Sequence, residues 1–213
     1  PVAGGGLQKQ EGGDAVSRLI ALTQRVERIE AIGERRDALS QEWAALAEAC
    51  GFLPLPLPNR LTAVRQLLAA VRVDGIILTG GNDLASYGGD APERDEAERF
   101  LIQYAIARRT PLLGVCRGMQ MLLDYFGAPL QKVEGHIRVE HPLDRGGTVN
   151  SFHSWGARAC PPPLEPAARS TDGVVEAVTH REYPWIQGVM WHPERYAPLR
   201  EEDIRLIREV FRL

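Results

Sequence analysis

The stretch TPLLGVCRGMQMLLDYFG (residues 110–127) contains the pattern that decides the fold. Its first part is an apolar run that predicts a buried strand, and its second part has the spacing of a helix that ends at Gly127. Cys116 lies between the two, with Gly114 and Gly118 on either side of it. A cysteine at such a strand-to-helix turn is either a nucleophile held on a tight turn or one more buried thiol.

Strands and helices alternate on both sides of this stretch. Further strands are predicted at 18–24, 52–58, 74–81, 129–135, 146–155, 173–180 and 186–191. Further helices are predicted at 34–51, 60–72, 92–110 and 200–213, with the charged segment 27–37 as the solvated start of the first. The alternation predicts an α/β fold with a mostly parallel central sheet and helices on both faces. The short strands after about residue 129 predict a small antiparallel extension.

Composition limits the kinds of protein that this chain can be. Its 213 residues are 44% hydrophobic and 25% charged, and we expect a flexible leader at 1–16 followed by a single domain at 17–213. The net charge of −3 argues against a nucleic-acid partner, because phosphate contacts need a surplus of Lys and Arg. Three scattered cysteines and the lack of a long apolar run predict a cytoplasmic protein with no disulfide framework and no membrane partner.

Two other predicted strands end in residues that could assist a nucleophilic Cys116. Ligands of open α/β sheets bind outside the carboxyl ends of the strands. His192 follows one such strand, and Glu194 is two residues further on, as suits a general base and the carboxylate that orients it. Gly80 and Gly81 follow another strand, and a backbone N–H there, together with the N–H after the cysteine, could bind an oxyanion.

The remaining cysteines and histidines have simpler interpretations. Cys50 and Cys160 are interpreted as buried core thiols. His136, His141 and His180 are interpreted as structural residues. A zinc site at His136 and His141 is disfavoured, because their spacing matches no common site and the cysteines offer no partner pair. We therefore expect no metal and no organic cofactor.

Three motifs in this order carry a family resemblance. They are ILTGG at 77–81, GVCRGMQ at 114–120 and GVMWHPE at 188–194. Over about residues 17–213 the chain resembles the class I glutamine amidotransferases, a flavodoxin-like family whose Cys-His-Glu triad hydrolyses a γ-glutamyl amide through a thioester. The resemblance implies these roles: nucleophile for Cys116, general base and then acid for His192, His-orienting carboxylate for Glu194, and oxyanion donors for Gly81 and Arg117.

Two further features resemble the stand-alone γ-glutamyl hydrolases of this family. Arg117 follows the cysteine, where ammonia-donating relatives more often carry Leu, and RDEAE lies upstream at 94–98. VNSFHSWG at 149–156 is similar to the hydrolase pattern, but Ser154 and Trp155 stand where hydrolases of polyamine-derived products read His-Gln. The pattern is most similar to hydrolases that release glutamate from a γ-glutamyl phosphoramidate of cytidine diphosphate in capsule phosphoramidate synthesis.

The resemblance implies a small γ-glutamyl substrate that carries a nucleotide. The residues implied for its glutamyl pocket are Gln120, Asn150, Ser151, Phe152, His153 and Ser154. Because a diphosphate needs fixed cations, we hypothesise that Arg25 and Arg36, after the first strand, bind the phosphates. Two alternatives stay open, a glutaminase subunit that supplies ammonia to a separate synthase partner and a γ-glutamyl hydrolase of another small amine.

Overall fold

Thirteen strands and five α-helices make up the regular structure of residues 18–213, the part of the chain that this computed structural model describes. The strands are β1 (Arg18–Leu22), β2 (Arg25–Ile29), β3 (Glu34–Ala38), β4 (Phe52–Pro56), β5 (Gly75–Leu78), β6 (Leu112–Val115), β7 (Gln131–Lys132), β8 (Ile137–Pro142), β9 (Thr148–Phe152), β10 (Trp155–Gly156), β11 (Leu164–Arg169), β12 (Val175–His180) and β13 (Ile186–Val189). The helices are α1 (Glu42–Cys50), α2 (Leu61–Ala70), α3 (Pro92–Arg108), α4 (Arg117–Tyr125) and α5 (Glu201–Phe211). The predicted leader at 1–16 lies outside the described residues.

A seven-stranded sheet lies at the centre, in the order β11-β12-β13-β6-β5-β1-β4. Neighbours are parallel from β4 to β13 and antiparallel from β13 through β12 to β11. The fully buried β5 and β6 are apolar, as strands covered on both faces must be. β4, which contains Pro54 and Pro56, forms an edge, where a missing N–H is tolerated. The predicted mostly parallel sheet with an antiparallel extension is confirmed.

Helices cover both faces of the sheet and enclose two hydrophobic cores. α2, α3 and α4 contribute Val64, Leu101 and Leu122 to one core, whereas α1 and α5 contribute Leu46 and Ile207 to the other. Successive residues of β5 and β6 point alternately into the two cores, as the period of a strand dictates. Within residues 18–213, none of the helices combines the length and the apolar character that a bilayer crossing requires.

The predicted helix at 34–51 is wrong over its first part. β2 and β3 instead form an antiparallel hairpin that turns through Gly33, and α1 begins only at Glu42. Most hairpin side chains are exposed, so no apolar period distinguishes these strands from a solvated helix. The hairpin is held by a tertiary contact, because the Asn82 side chain accepts from the N–H of Val26 and donates to its carbonyl oxygen.

The strands after residue 129 also pair differently from the prediction. β7 and β10 form one separate two-stranded sheet, and β8 and β9 form another, so neither pair extends the central sheet. β13 is parallel to β6 and only β11 and β12 make the antiparallel extension. Sequence patterns missed β8 and β11, because most residues of β8 are exposed and β11 contains an irregular register around Pro166.

The carboxyl ends of three neighbouring strands meet at one edge of the central sheet. The register sets Val115 of β6 opposite Val189 of β13, and β5 ends beside β6. The residues that follow these strands are therefore neighbours in space. They are the loop 79–82, Cys116 and the segment 190–195.

Candidate active site

Cys116 lies on a strained turn between β6 and α4. Its φ of 52° and ψ of −106° are unfavourable for a residue with a side chain, at a cost on the order of 1–3 kcal/mol. A Cβ on Gly114 would lie 2.6 Å from the Gly118 carbonyl oxygen, and one on Gly118 would clash with the Leu78 carbonyl, so both positions require glycine. The turn places the thiol in a cavity wall at the N-terminus of α4, where the helix dipole favours a thiolate.

His192 follows β13 and is held through both its ring and its backbone. Its Nδ1 lies 2.6 Å from Oε1 of Glu194, and the ring contacts the Cys116 thiol. Asn150 fixes the His192 backbone, because its Oδ1 accepts from the N–H at 2.8 Å and its Nδ2 donates to the carbonyl oxygen at 2.9 Å. With Nδ1 committed to the carboxylate, Nε2 is the nitrogen that exchanges a proton at the thiol.

The three groups set one another's charge. Burial disfavours a charged imidazole, but the Cys116 sulfur and the Glu194 carboxylate outweigh it and raise the pKa of His192 to about 10. An imidazolium therefore faces the sulfur at neutral pH. By contrast, burial raises the pKa of the core thiol Cys50 to about 11 and also raises the pKa of the half-buried Cys160. Within the part of the chain that the structure describes, no histidine shifts the pKa of either of these two thiols.

The loop after β5, residues 79–82, also reaches the thiol and the imidazole, and a side chain of α3 holds it in position. Gly80 packs so closely on His192 that a Cβ would lie 2.6 Å from its Cε1, and Gly81 has a φ of 86°. The buried Arg94 guanidinium donates to the carbonyl oxygens of Thr79, Gly80 and Gly81 at 2.7, 3.1 and 2.6 Å. The bond to the Gly80 carbonyl oxygen fixes the peptide plane that carries the N–H of Gly81, one of the two predicted oxyanion donors.

The side chain of Arg117 belongs to the same buried network. It is 1% exposed and pairs with Asp95 and Glu98 of α3. Glu98 also pairs with Arg94 at 2.9 Å. Burial and the nearby Arg117 charge lower the pKa of Arg94 to about 10, which leaves it charged at neutral pH. Arg117 and the segment 94–98, two separate features of the sequence, are thus one ion cluster that joins α3, α4 and the loop after β5.

A cavity of about 600 Å³ opens beside Cys116. Its wall contains four of the residues predicted for the glutamyl pocket: Gln120, Phe152, His153 and Ser154. It also contains the predicted oxyanion residues Gly81 and Arg117. The structure therefore brings the predicted triad, oxyanion residues and part of the predicted pocket to one place.

Two residues predicted for the glutamyl pocket lie behind the cavity wall instead. Asn150 bonds the backbone of His192 through its side chain, and its own N–H donates to the Tyr196 hydroxyl at 2.6 Å. The Ser151 hydroxyl is buried and donates to the carbonyl oxygen of His136 at 2.7 Å. Both side chains are satisfied by the protein, so their contribution is to position neighbouring groups.

Arg25 and Arg36, the two arginines that we hypothesised to bind phosphates, both lie on the β2–β3 hairpin. Arg25 packs on Gly81 and borders a recess that adjoins the cavity. Arg36 lies outside the cavity wall, where its Nε and one terminal nitrogen each donate to the Glu34 carboxylate at 2.9 Å. Because 34–38 is a strand rather than part of a helix, Arg36 projects elsewhere than predicted.

Sequence patterns missed two cavity arginines, Arg138 and Arg195. Arg138 has a φ of 56° at an irregularity in the β8–β9 pairing, a hairpin that the sequence did not predict. The Arg195 guanidinium lies 4.5 Å from the centre of the Phe152 ring. Its position directly after Glu194 was the one signal that could have found it.

A second polar cluster lies behind the cavity wall. His136, His141 and His153 surround the carboxylate of Glu176, which lies on β12. Three of these groups, His136, His141 and Glu176, bring their ligand atoms close enough to hold a metal ion. Sequence spacing did not reveal the cluster, because Glu176 reaches it from β12 and His153 from the connection between β9 and β10.

The geometry beside the cavity can perform acyl transfer. It combines a thiol at a helix N-terminus, an imidazole oriented by a carboxylate, and a rigid loop with backbone N–H groups. Such a set can attack a carbonyl carbon, bind the resulting oxyanion and protonate a leaving nitrogen.

Known proteins share the sequence pattern and the fold of this chain. The profile of the family described as glutamine amidotransferase class-I matches residues 50–212. The γ-glutamyl-CDP-amidate hydrolase of Campylobacter jejuni subsp. jejuni serotype O:2 is 32% identical over 203 residues, which cover 91% of this chain and 98% of that protein. The γ-glutamyl-γ-aminobutyrate hydrolase of Escherichia coli O157:H7 is 32% identical over 206 residues, covering 76% and 80%. A solved structure from Thermoplasma acidophilum, described as a GMP synthase subunit, has a TM-score of 0.69 at 18% identity over 92% of each chain, which shows a common fold.

Proposed function

This chain belongs to the class I glutamine amidotransferase family, and we propose that it is a hydrolase of γ-glutamyl amide bonds. The observation that carries the proposal is the meeting of Cys116, His192 and Glu194 beside one cavity, with a 2.6 Å contact between His192 Nδ1 and the carboxylate. The two relatives described above, which cover 91% and 76% of this chain, both bear the names of γ-glutamyl hydrolases.

The reaction runs in two steps. The Cys116 thiolate attacks the γ-carbonyl carbon, and the N–H groups of Gly81 and Arg117 bind the oxyanion. His192 gives its Nε2 proton to the departing nitrogen, so the C–N bond breaks and a γ-glutamyl thioester remains. His192 then takes a proton from water, whose oxygen attacks the thioester and expels the thiolate. Glutamate leaves, and the imidazolium, held by Glu194, again faces a thiolate.

The proposed substrate is γ-glutamyl-CDP-amidate, which would yield glutamate and cytidine diphosphoramidate for a surface polysaccharide. The name of the Campylobacter jejuni relative supports this substrate. A cavity of about 600 Å³ falls within the range of about 300–1,000 Å³ of sites for ligands larger than one amino acid. Arg138 and Arg195 in its wall could bind the anionic diphosphate.

Glutamate release from three compounds tests the function. We expect the highest kcat/KM for γ-glutamyl-CDP-amidate, lower values for γ-glutamyl-γ-aminobutyrate and glutamine, and no turnover by Cys116→Ala. Intact-mass analysis should detect an acyl adduct on the wild type alone. If none of the compounds is cleaved by a Cys116-dependent reaction, the hydrolase proposal is wrong. Preference for the aminobutyrate compound would favour a small-amine hydrolase, and glutamine cleavage that rises sharply with a synthase would favour an ammonia donor.

Arg138→Gln separates the leaving-group part of this proposal from the chemistry. Loss of one charged phosphate contact should raise KM for the nucleotide substrate about tenfold or more. A γ-glutamyl anilide, which has no phosphates, should be cleaved as before. Arg36→Gln is the matched control, because Arg36 lies outside the cavity wall and pairs with Glu34. Equal losses of Arg138→Gln on both substrates would contradict the assignment.

A further inference from the structure

We propose that His136, His141, His153 and Glu176 bind one zinc-type divalent metal ion. The site lies between the β8–β9 hairpin and β12 of the central sheet. It goes beyond the proposed function, because no step of the amide cleavage uses a metal ion or any of these four side chains.

Distances between His136, His141 and Glu176 fit the coordination sphere of such an ion, and His153 adjoins them at Glu176. Glu176 Oε1 lies 3.4 Å from His136 Nδ1 and 3.5 Å from His153 Nε2, and Oε2 lies 3.7 Å from His141 Nε2. The ligand atoms of His136, His141 and Glu176 all lie within 4.8 Å of one another. Zinc bonds of about 2.0–2.1 Å in a tetrahedron set neighbouring ligand atoms about 3.3 Å apart. An inward shift of the side chains would bring these three to bonding distance, and His153, which lies outside this group of three, would have to move with them to become the fourth ligand.

Burial makes the cluster costly without an ion. The side chains of Glu176 and His153 are 0% exposed, that of His136 is 4% and that of His141 is 13%. Of eight buried side-chain N and O atoms with no hydrogen-bond partner among residues 18–213, five belong to these four residues. Buried polar groups are normally paired, so this concentration at one point indicates a missing ligand.

Contacts on the outer side of two rings set which nitrogen faces the carboxylate. Nδ1 of His153 lies 3.0 Å from the Trp155 carbonyl oxygen, which can only accept, so Nδ1 carries the proton and Nε2 presents a lone pair to Glu176. Nε2 of His136 lies 3.4 Å from an Asp172 carboxylate oxygen, which favours the proton there and a lone pair on Nδ1. Lone pairs that face a carboxylate repel it unless a metal ion or a second ring proton lies between them. Outer carbonyl and carboxylate partners of this kind are usual for metal-bound histidines.

The donor set indicates the class of metal and its role. Three imidazole nitrogens and one carboxylate oxygen suit zinc-type ions, whereas magnesium and calcium prefer oxygen ligands. Four protein ligands in a buried place make a closed, structural site. Because His153 also lines the active-site cavity, the ion would hold that wall against the central sheet.

Metal uptake by the full chain tests the proposal directly. The purified chain is stripped with dipicolinate and titrated with Zn²⁺, with bound metal measured by mass spectrometry. We expect one equivalent per chain and a rise of several degrees in Tm, since an ion that binds only the folded state stabilises it. Co²⁺ in the same site should give the intense visible absorption of a four-coordinate ion.

Paired variants locate the site. Glu176→Gln and His141→Gln should lose stoichiometric uptake, whereas Glu165→Gln and His180→Gln, which change the same residue types outside the cluster, should keep it. Asp172→Asn, which weakens the outer contact of His136 and also the ion pair with Arg158, should reduce affinity about 10–100-fold. Circular dichroism reports whether each variant is folded, and the Co²⁺ spectrum of the unchanged chain does not depend on any variant.

Two results would overturn the site. The first is a stripped, folded wild type that takes up no stoichiometric Zn²⁺ and gives only the weak spectrum of six-coordinate Co²⁺. The second is a folded Glu176→Gln chain that binds Zn²⁺ as tightly as the wild type. In either case the histidines would share protons with Glu176 rather than an ion. Glutamate release is measured in a separate assay, so failure of the hydrolase proposal would not change the outcome of the metal-binding test.

Discussion

The reactivity of Cys116 depends on a proton that belongs to His192. Glu194, whose carboxylate lies 2.6 Å from Nδ1 of His192, favours the charged form of the ring and raises its pKa. Cys50 has no such partner and is 1% exposed in an apolar core. The difference between a core thiol and a nucleophile is therefore set by His192, which lies beside the sulfur, and by Glu194, which orients the ring.

Glu194→Gln should slow alkylation of Cys116 by iodoacetamide. The raised His192 pKa keeps the imidazolium charged below about pH 10, and this positive charge favours a thiolate beside it. Without the carboxylate the pKa of His192 falls, and a larger fraction of the molecules holds a neutral imidazole beside a neutral thiol. We expect about a tenfold lower rate at neutral pH, or ~1.4 kcal/mol. Peptide mapping identifies the alkylated cysteine.

The exposed Glu201→Gln, at the start of α5, is the control for that substitution and should leave the rate unchanged. A rate for Glu194→Gln that matches the wild type at neutral pH would show that the carboxylate does not govern the thiolate. Circular dichroism shows whether each variant is folded before its alkylation rate is measured, so that a slow rate is not mistaken for unfolding.

Helix α3 supports the active site although it contributes no group to the cavity wall. Its buried Arg94 and Glu98 project inward between apolar residues, and together they connect the loop after β5 with Arg117 at the start of α4. Buried ion clusters are weak sources of stability but need every partner in place. The geometry here points to positioning of the loop.

Arg94→Lys should lower kcat more than it raises KM. A lysine keeps the charge but cannot donate to three carbonyl oxygens of one loop as the planar guanidinium does. A small displacement of the oxyanion donors should reduce kcat about 10–100-fold. Arg99→Lys, an exposed arginine of the same helix paired with Asp124, serves as control. An Arg94→Lys enzyme with lower Tm but unchanged kcat would show that the ion cluster contributes to stability and does not position the loop.

Local patterns predicted most elements but not the contacts between distant ones. The apolar runs at β5 and β6, the glycines around Cys116 and the Pro-and-acid start of α3 are each decided within a few residues, so their predictions are confirmed in position. The β2–β3 hairpin depends on Asn82, far along the chain, and was predicted as a helix. Its charged strands carry no period of their own.

The candidate site divides in the same way. Cys116, His192 and Glu194 could be proposed because each follows a predicted strand, and parallel strands end at one edge. Arg138 could not, because it depends on a hairpin whose exposed strands show no pattern. The cluster around Glu176 could not either, because its ligands come from three segments whose pairing no spacing records.

The central sheet separates the two hydrophobic cores of the molecule. Leu101 of α3 and Leu46 of α1 are both 0% exposed and lie on opposite faces. The two cores share every central strand, because adjacent residues of β5 and β6 point into different ones. Loss of either core exposes one face of the same strands, so we expect the cores to unfold together.

Leu101→Ala and Leu46→Ala test whether 17–213 behaves as a single domain. Each should lower the free energy of unfolding by about 2–5 kcal/mol and shift one common urea transition, because the cavity it leaves weakens the shared sheet. The double variant should be additive within about 0.5 kcal/mol, since the side chains have no shared partner. Hydrogen exchange in α1 should quicken in Leu101→Ala, although α1 lies on the opposite face. Two separate transitions, or α1 exchange unaffected by Leu101→Ala, would show that the faces unfold independently.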